Sequence, residues 1–295
     1  MSKDYMLRAM TRDGSLRAFA VNSKNIVSEA YKAHGTTPVV TAALGRLLSA
    51  GVMMGAMCKG DADILTISLK GDGPVGSVTV TADAKGRVKG FAANPTVEIP
   101  LKANGKLDVG GAVGHGTLTV IKDLGLKDPY IGQTELVNGE VAEDLTYYFA
   151  ASEQVPSSVG LGVLVNADGT VRQAGGFIVQ VMPDASDELI DRLEKNIGSL
   201  KTVTASLDSG ESIEDILAQI FKDIEYDITS SSDVSFYCNC SRDRISKALI
   251  SVGEAELKSM IDEGKDIEVK CHFCNKGYDF SIEDLKELLK CSMDS

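Results

Sequence analysis

Two cysteine motifs near the C-terminal end constrain this chain more than any other feature. Cys238 and Cys240 form a CxC motif, Cys271 and Cys274 form a CxxC motif, and 30 residues separate the two. Structural zinc sites take four tetrahedral ligands, and thiolates are typical donors. A segment of about 65 residues has a thin hydrophobic core unless a metal or disulfide reinforces it. We therefore expect one Zn²⁺ per chain, held by these four cysteines.

The same thiolates make the predicted centre sensitive to oxidation. Arg242, Arg244, Lys270 and Lys276 lie next to the cysteines in sequence, and nearby cations favour the thiolate form. Oxidation of each pair to a disulfide removes the metal ligands, and loss of a structural zinc withdraws on the order of 10 kcal/mol of folding free energy. The spacing therefore suggests a redox switch in the tail.

Charge and turn residues divide the chain into three segments. Residues 1–183 hold all 7 prolines and 24 of the 29 glycines, with 17 acidic and 17 basic side chains. Residues 184–230 carry 12 acidic and 4 basic side chains, and residues 231–295 carry 13 and 9. We expect a body at 1–183, an acidic amphipathic helical linker at 184–230 and a small zinc-binding domain at 231–295.

The body is predicted to be of the α+β class, a mixed α/β body with antiparallel sheets. Short stretches rich in β-branched residues follow one another through Gly, Asp and Asn turns, which is typical of antiparallel strands. Helices are predicted at 24–34 and 140–153. The strands are predicted at 5–11, 15–21, 64–69, 77–82, 88–92, 117–121, 161–165 and 174–181.

The linker carries an apolar stripe at helical spacing. Ser212 is a predicted N-cap, with Asp215 three residues on. The stripe consists of Ile213, Ile216, Leu217, Ile220, Phe221 and Ile224. Burying one such side chain is worth roughly 1.5–3 kcal/mol, so we expect the stripe to dock on the body in the reduced state. Carboxylates on the same segment weaken it as an isolated helix, which makes docking conditional.

Two other motifs resemble a membrane span and a phosphate-binding loop, but each is better interpreted as an ordinary structural element. Residues 39–58 are nearly all apolar, but they include Arg46, and a membrane span needs about 20 apolar residues, so we expect a buried helix of the body. Residues 71–76 fit GxGxxG, but a strand pattern follows them where a phosphate site requires a helix. We expect a hairpin turn there.

Four further residues carry no predicted chemistry. His34 and His115 have no Ser or Cys partner at a recognisable spacing, and we expect surface or capping roles. Cys58 is interpreted as a small buried residue and Cys291 as a tail thiol. Both are expected to stay outside the redox switch.

Charge and the N-terminal sequence limit partners and location. The net charge is −12, which argues against nucleic-acid binding, since that requires a basic face. The first residues lack the long apolar stretch of a secretory signal, so we expect a cytoplasmic protein without a membrane partner. Cytosolic thiols stay reduced, which favours metal or redox chemistry over structural disulfides.

At its cysteines the sequence resembles the heat shock protein 33 family of redox-regulated bacterial chaperones. The CxC and CxxC motifs with their spacing match the family pattern, as do residues 236–244 and 278–280 around them. Further family-like motifs lie in the body, at 69–74, 143–148, 152–157 and 175–177. The resemblance covers essentially the whole chain.

The resemblance implies an ATP-independent holdase rather than an enzyme. It implies that the reduced, zinc-bound form is inactive and that peroxide or hypochlorite, particularly with heat, forms the disulfides Cys238–Cys240 and Cys271–Cys274. Zinc is then released, the tail and linker unfold, and the protein forms a homodimer that holds unfolding client proteins. The acidic linker suits a segment that folds conditionally.

Two functions of other classes remain open at this point. A thiol–disulfide oxidoreductase would use the CxxC motif, but it leaves the CxC motif unexplained and expects a βαβ context. A constitutive zinc-ribbon module would bind nucleic acid, which the acidic tail disfavours.

Overall fold

The computed structural model describes residues 3–293 and divides into two compact units, with the boundary between Tyr237 and Cys238. Residues 1–2 and 294–295, at the ends of the first and third predicted segments, lie outside the described residues. The first unit therefore contains the predicted body together with the predicted linker. It also takes in residues 231–237, which the sequence interpretation assigned to the zinc-binding domain.

Two sheets and seven α-helices make up the described part of the first unit. The strands are β1 (Tyr5–Thr11), β2 (Leu16–Asn22), β3 (Ile64–Gly71), β4 (Ser77–Asp83), β5 (Arg87–Ala92), β6 (Gly116–Asp123), β7 (Tyr130–Glu135), β8 (Ser157–Val165), β9 (Val171–Val181), β10 (Tyr226–Asp233) and β11 (Ser235–Phe236). The helices are α1 (Lys24–His34), α2 (Pro38–Gly55), α3 (Val109–Val113), α4 (Ala142–Tyr148), α5 (Asp187–Gly198), α6 (Val203–Asp208) and α7 (Ile213–Ile220). A π-helical turn, Phe149–Glu153, continues α4.

Both sheets are built almost entirely from antiparallel pairs, which confirms the predicted α+β class. The five-stranded sheet has the order β10-β1-β2-β9-β8, and the six-stranded sheet has the order β11-β5-β4-β3-β6-β7. The short strand β11 pairs with β5 in parallel. The GxGxxG stretch is the turn between β3 and β4, as predicted, with Gly76 in the left-handed region at φ 73°.

The apolar helix α2 lies in the core of the first unit. Its length and composition would suffice to cross a membrane, but 89% of it is buried within the protein, as expected for a core helix. Its GxxxG glycines serve close packing on β4. A Cβ on Gly51 would lie 2.7 Å from Val80, and one on Gly55 would lie 2.7 Å from the Asp83 carbonyl oxygen.

The predicted linker segment is helical only as far as Ile220. Helices α5, α6 and α7 occupy most of it, and Tyr226 then begins a strand that continues past residue 230 to Asp233. This strand pairs antiparallel with β1 from Tyr5↔Asp233 to Thr11↔Tyr226. Because this strand pairs with β1, the first unit extends beyond the predicted linker, as far as Tyr237. The strand was not predicted, because the small polar residues at 229–232 give no strand signal in the sequence.

The second unit, as far as Met293, contains a hairpin and three helices. The elements are α8 (Arg242–Ser251), α9 (Glu254–Asp262), β12 (Ile267–Lys270), β13 (Gly277–Phe280) and α10 (Ile282–Met293). Its buried core is small, consisting of Leu249, Leu257, Phe280 and Leu285. Ser281 and Asp284 form a capping box at the start of α10, with the Ser281 N–H and hydroxyl each donating to the Asp284 carboxylate at 2.8 Å.

Candidate metal centre

The four cysteines of the two motifs come from two short backbone arms of the second unit. Cys271 and Cys274 lie in the turn of the hairpin between β12 and β13. Asn275 closes this turn in the left-handed region at φ 58°, and its N–H donates to the Cys271 carbonyl at 2.7 Å. Cys238 and Cys240 supply the other arm immediately before α8, whose N-cap is Ser241.

All four sulfur atoms lie within 4.8 Å of one another. The Sγ atoms of Cys238 and Cys271 are 3.7 Å apart, and those of Cys240 and Cys274 are 3.4 Å apart. Four thiolates about 2.3 Å from a tetrahedral ion are about 3.8 Å from one another, so the observed spacing fits such an ion. The spacing is also far longer than the roughly 2.04 Å of a disulfide bond, and the four side chains are free thiols. The cluster can hold a metal ion.

Tyr278 is the residue at this centre that sequence reasoning missed. Its hydroxyl donates a hydrogen bond to Cys240 Sγ at 3.1 Å. Burial alone would raise the pKa of the Cys240 thiol, but hydrogen bonds from Tyr278 and the neighbouring thiols outweigh it and lower that pKa to about 7. The same hydrogen bond raises the pKa of Tyr278 to about 12. Tyr278 follows the CxxC motif by four residues on β13 and lies in the family-like stretch 278–280, but neither signal indicated that its hydroxyl contacts a cysteine.

Burial affects two of the other thiols in the opposite direction. It raises the pKa of Cys238 and of Cys274, and hydrogen bonds to neighbouring thiols contribute to both shifts. The centre therefore combines one readily ionised sulfur with less acidic ones. Because metals bind thiolates, loading such a cluster releases protons and weakens as the pH falls.

The cations predicted to stabilise thiolates interact largely with other groups. Arg242 donates to the Asp279 carbonyl, pairs with Asp284 at 2.9 Å and lies 4.4 Å from the centre of the Phe280 ring. Lys270 pairs with Glu268 at 3.5 Å, and Lys276 lies over the Tyr278 ring. Arg242 thus fastens α8 to β13 and α10 and holds the CxC arm in place through packing.

The linker stripe is buried on one face of the five-stranded sheet, within the first unit. Ile213, Ile216, Leu217, Ile220 and Phe221 are each no more than 4% exposed, and Ile224 packs against them partly buried. The sheet residues of the same apolar cluster come from β1, β2 and β9. These residues are Leu7, Ala9, Leu16, Ala18, Ala20, Phe177 and Val179.

Polar contacts fix the ends of this buried helix. Ser212 and Asp215 form the predicted capping box at its start. Beside it, the Tyr5 hydroxyl donates to Glu214 at 2.7 Å, which ties α7 to β1. After the helix, the Phe221 ring stacks on Tyr226 with centroids 4.7 Å apart, at the start of β10.

Of the other residues considered in the sequence, Cys58, His34 and His115 belong to the first unit, and Cys291 belongs to the second unit but not to the four-cysteine cluster. Cys58 is half-buried in the first unit, less buried than expected, and burial raises the pKa of its thiol. Cys291 is exposed on α10. His34 ends α1 and is half-buried, with Nε2 3.1 Å from the Gly90 carbonyl oxygen, so it links α1 to β5, where a surface or capping role was expected. The backbone N–H of His115 donates to Asp72 at 2.7 Å in a turn.

The fold and the centre define a class of protein: a two-sheet α+β unit joined to a small four-cysteine unit with metal-binding geometry. Within that class the chain belongs to the Hsp33 family, whose "Hsp33 protein" profile matches residues 4–281. This confirms the resemblance seen in the sequence, and family membership supports a chaperone function.

Named relatives and a solved structure agree with this assignment. The chain is 57% identical to the 33 kDa chaperonin of Agathobacter rectalis over 285 residues, covering 97% of this chain and 99% of the relative. It is 50% identical to the 33 kDa chaperonin of Clostridioides difficile, covering 98% and 99%. The crystal structure of the 33 kDa chaperonin (heat shock protein 33 homolog) of Thermotoga maritima matches with a TM-score of 0.92 at 37% identity, over 100% of both chains.

Proposed function

We propose that this protein is a redox-regulated, ATP-independent holdase of the cytoplasm that is inactive when reduced. The single observation that carries the proposal is the convergence of four thiols within 4.8 Å in a unit whose buried core consists of a few side chains. Family membership supports the chaperone part of the proposal. The redox part follows from the chemistry of the four sulfurs.

In the reduced state, Cys238, Cys240, Cys271 and Cys274 would together hold one Zn²⁺. All four donors are soft thiolates in a closed set, which suits a structural zinc site. When bound, the ion cross-links the CxC arm to the hairpin and contributes on the order of 10 kcal/mol to folding of the unit. The hydroxyl of Tyr278 orients Cys240 within this set.

Oxidation by peroxide acts on each cysteine pair in two steps. One thiolate attacks a peroxide oxygen, which gives a sulfenic acid and releases hydroxide. The neighbouring thiolate then attacks that sulfur, which forms the disulfide and releases a second hydroxide. Each pair therefore gives two electrons to one peroxide molecule. The pairs proposed are Cys238–Cys240 and Cys271–Cys274, and neither disulfide retains a thiolate for a metal.

Loss of the cross-link leaves the second unit with too little core to stay folded. The chain from Cys238 runs back directly into β11, β10 and α7, so unfolding can propagate into the linker. Release of α7 uncovers its own apolar stripe and the sheet face beneath it. Large exposed apolar surfaces bind other polypeptides, and here they would hold unfolding clients, with a homodimer as the active form.

The two rival functions receive less support from the geometry. The CxxC motif lies in the turn of a two-stranded hairpin, whereas a thioredoxin-like oxidoreductase places it at the start of a helix in a βαβ unit. A nucleic-acid-binding zinc ribbon would need a basic face, and the segment 231–295 is acidic.

An oxidation experiment with two parallel measurements, zinc release and client aggregation, tests the proposal. The reduced, zinc-loaded protein is treated with peroxide at mildly raised temperature while a chelating dye reports zinc release. In parallel, light scattering follows the aggregation of an unfolding client protein. We expect release of one zinc per chain together with suppression of aggregation, and no suppression by the reduced protein. Equal suppression by both forms would contradict redox control.

A further inference from the structure

We propose that the edge of β1 covered by β10 is a binding site for extended, unfolded polypeptide, and that β10 occupies this site in the reduced chain. The ligand class is a client segment in β conformation, bound mainly through its backbone. The inference rests on the proposed function, because β10 must leave before a client can bind. It specifies how the client is held, which the proposed function leaves open.

Backbone groups of β1 and its flanking residues face β10 along its length, with one bulge at Thr229, where the pairing shifts between Arg8 and Ala9. The Asp4 carbonyl accepts from the Val234 N–H at 3.1 Å, and the Arg8 carbonyl accepts from the Thr229 hydroxyl at 3.2 Å. Four residues further on, the Arg12 N–H donates to the Glu225 carbonyl at 3.4 Å. A row of donors and acceptors with this spacing is matched by another extended backbone, which is the basis of peptide recognition by strand addition.

Few side-chain contacts hold β10 in this position. Every residue from Asp227 to Asp233 is exposed, and positions 229–232 carry only small hydroxyl side chains. The ion pairs Lys3–Asp233 and Arg12–Glu225 are exposed on both sides, and such pairs contribute little. The principal apolar anchor is the stack of Tyr226 on Phe221. β10 is therefore a strand that a more apolar segment can replace.

The position of Ser231 shows which contact a client segment with apolar side chains would gain over β10. Ser231 pairs with Leu7 of β1, and Leu7 belongs to the apolar sheet face that α7 covers. Residues paired across antiparallel strands point to the same face, so an apolar side chain in place of Ser231 would lie beside Leu7. A client segment with alternating apolar residues would gain this contact along with the backbone hydrogen bonds. On this face β10 offers Ile228 opposite Ala9, but Ser231 opposite Leu7 adds no apolar contact.

The place of β10 in the chain links this edge to the cysteines. Asp233 ends β10 five residues before Cys238, and between them lie Val234, which is buried in the core of the first unit, and the two-residue strand β11, which pairs with β5. At the other end, Tyr226 contacts Phe221 of the linker stripe. When the linker and the cysteine unit unfold, β10 loses its contact with Phe221, and Val234 and the two-residue pair β11–β5 are the contacts that must also open before the edge of β1 is free.

Matched variants of β10 in the full-length chain test the inference. Ser231→Val adds an apolar contact with Leu7 and should keep β10 on the edge of β1 after oxidation. Ser230→Val is the control, because Ser230 pairs with Arg8 and points to the other face. The probe is a labelled, photo-crosslinkable peptide of alternating Val and Thr with lysine at both ends. Zinc content and thermal unfolding of the reduced variants verify that they fold.

The expected result is that the oxidised wild-type chain binds the peptide and crosslinks it to residues 3–12. The Ser231→Val variant should bind it about tenfold more weakly, and the Ser230→Val variant nearly as well as wild type. Crosslinks confined to other regions, or joining residues 3–12 to β10 of a second copy, would overturn the inference, as would equal binding by both variants. If oxidised wild-type protein fails to suppress client aggregation, the proposed function itself is overturned.

Discussion

The Tyr278 hydroxyl lies 3.1 Å from Cys240 Sγ and donates a hydrogen bond to it. Groups that orient metal ligands in this way typically change metal affinity by 10–100-fold when removed. We predict that Tyr278→Phe lowers zinc affinity about tenfold in the reduced protein, while the fold of the second unit is retained. Competition with a chelator of known affinity measures the change.

Tyr147→Phe is a suitable control for this prediction. Tyr147 is exposed in the first unit and lies outside the cysteine cluster. Its variant should bind zinc as the wild-type protein does. Wild-type affinity in the Tyr278 variant would mean that the hydroxyl does not support the metal ligand.

The pairing of the cysteines on oxidation is a second prediction. The measured sulfur contacts, Cys238 to Cys271 and Cys240 to Cys274, join the two arms, and all four atoms lie within 4.8 Å, so distance alone does not select a pairing. Once the unit begins to unfold, only neighbours in sequence keep a high effective concentration. We therefore predict Cys238–Cys240 and Cys271–Cys274 in peptide maps of the oxidised protein, with Cys58 and Cys291 unpaired. A map dominated by Cys238–Cys271 would refute this pairing.

A third prediction concerns the linker as a latch. Ile216 and Ile220 are 4% and 0% exposed against the sheet, so Ile216→Asp or Ile220→Asp would place a carboxylate in an apolar site at a cost of several kcal/mol. We predict partial suppression of client aggregation under reducing conditions, with zinc still bound. Native-state proteolysis should show cleavage confined to about residues 184–230.

The matched control for the latch is Ala218→Asp. Ala218 lies on the exposed side of α7, so its variant should remain inactive when reduced. If a folded, zinc-bound Ile216→Asp protein prevents no aggregation, the linker does not act as a latch. General unfolding of that variant, seen as cleavage throughout residues 3–183, would mean that the stripe is ordinary core.

A fourth prediction follows from a buried charge network around Glu140. Burial alone would raise the pKa of Glu140, but hydrogen bonds from Lys102 and from Arg46, the latter at 2.7 Å, bring it below its ordinary value of 4.5. A carboxyl whose pKa is lowered on folding stabilises the folded state above its ordinary pKa and loses that effect as the pH falls through the folded value.

Glu140→Gln should therefore reduce the free energy of unfolding at about pH 7 by about 1–3 kcal/mol, and by less at a pH below the ordinary carboxyl pKa of 4.5. Urea unfolding of the zinc-free reduced proteins at both pH values measures the difference. Glu143→Gln, at an exposed neighbouring position, should change little at either pH. A deficit in Glu140→Gln that is independent of pH would assign the effect to packing rather than charge.

The sequence predicted the parts of this molecule that depend on local patterns. The helix at Lys24–His34 and the strand at Tyr5–Thr11 match the structure at both ends, and the four cysteines converge as their spacing indicates. The capping box at Ser212 and Asp215 also forms as predicted. For the helix, the strand and the capping box the signal lies within a few residues of the feature, whereas the cysteine site was predicted from the ligand types and spacing of two motifs 30 residues apart.

Features that depend on distant partners were not predictable in this way. Strand β10 forms because its backbone completes the edge of β1, more than 200 residues earlier in the chain, and its Thr-Ser-Ser-Ser stretch carries no alternating apolar pattern. Tyr278 acts on Cys240 only through the hairpin that brings β13 to the CxC arm. The contacts of Arg242 were not predictable for the same reason, since they lie on β13 and α10.

The central claim is that oxidation of the four cysteines uncovers the sheet face beneath α7. Hydrogen exchange of the full-length protein before and after peroxide treatment tests this most directly, with peptides from 213–221 and from α2 compared at each time. The account predicts that 213–221 and 226–233 lose protection together with the cysteine unit while α2 stays protected, and that client binding appears in the same samples. Protection of 213–221 that persists in oxidised, zinc-free and client-binding protein would contradict it.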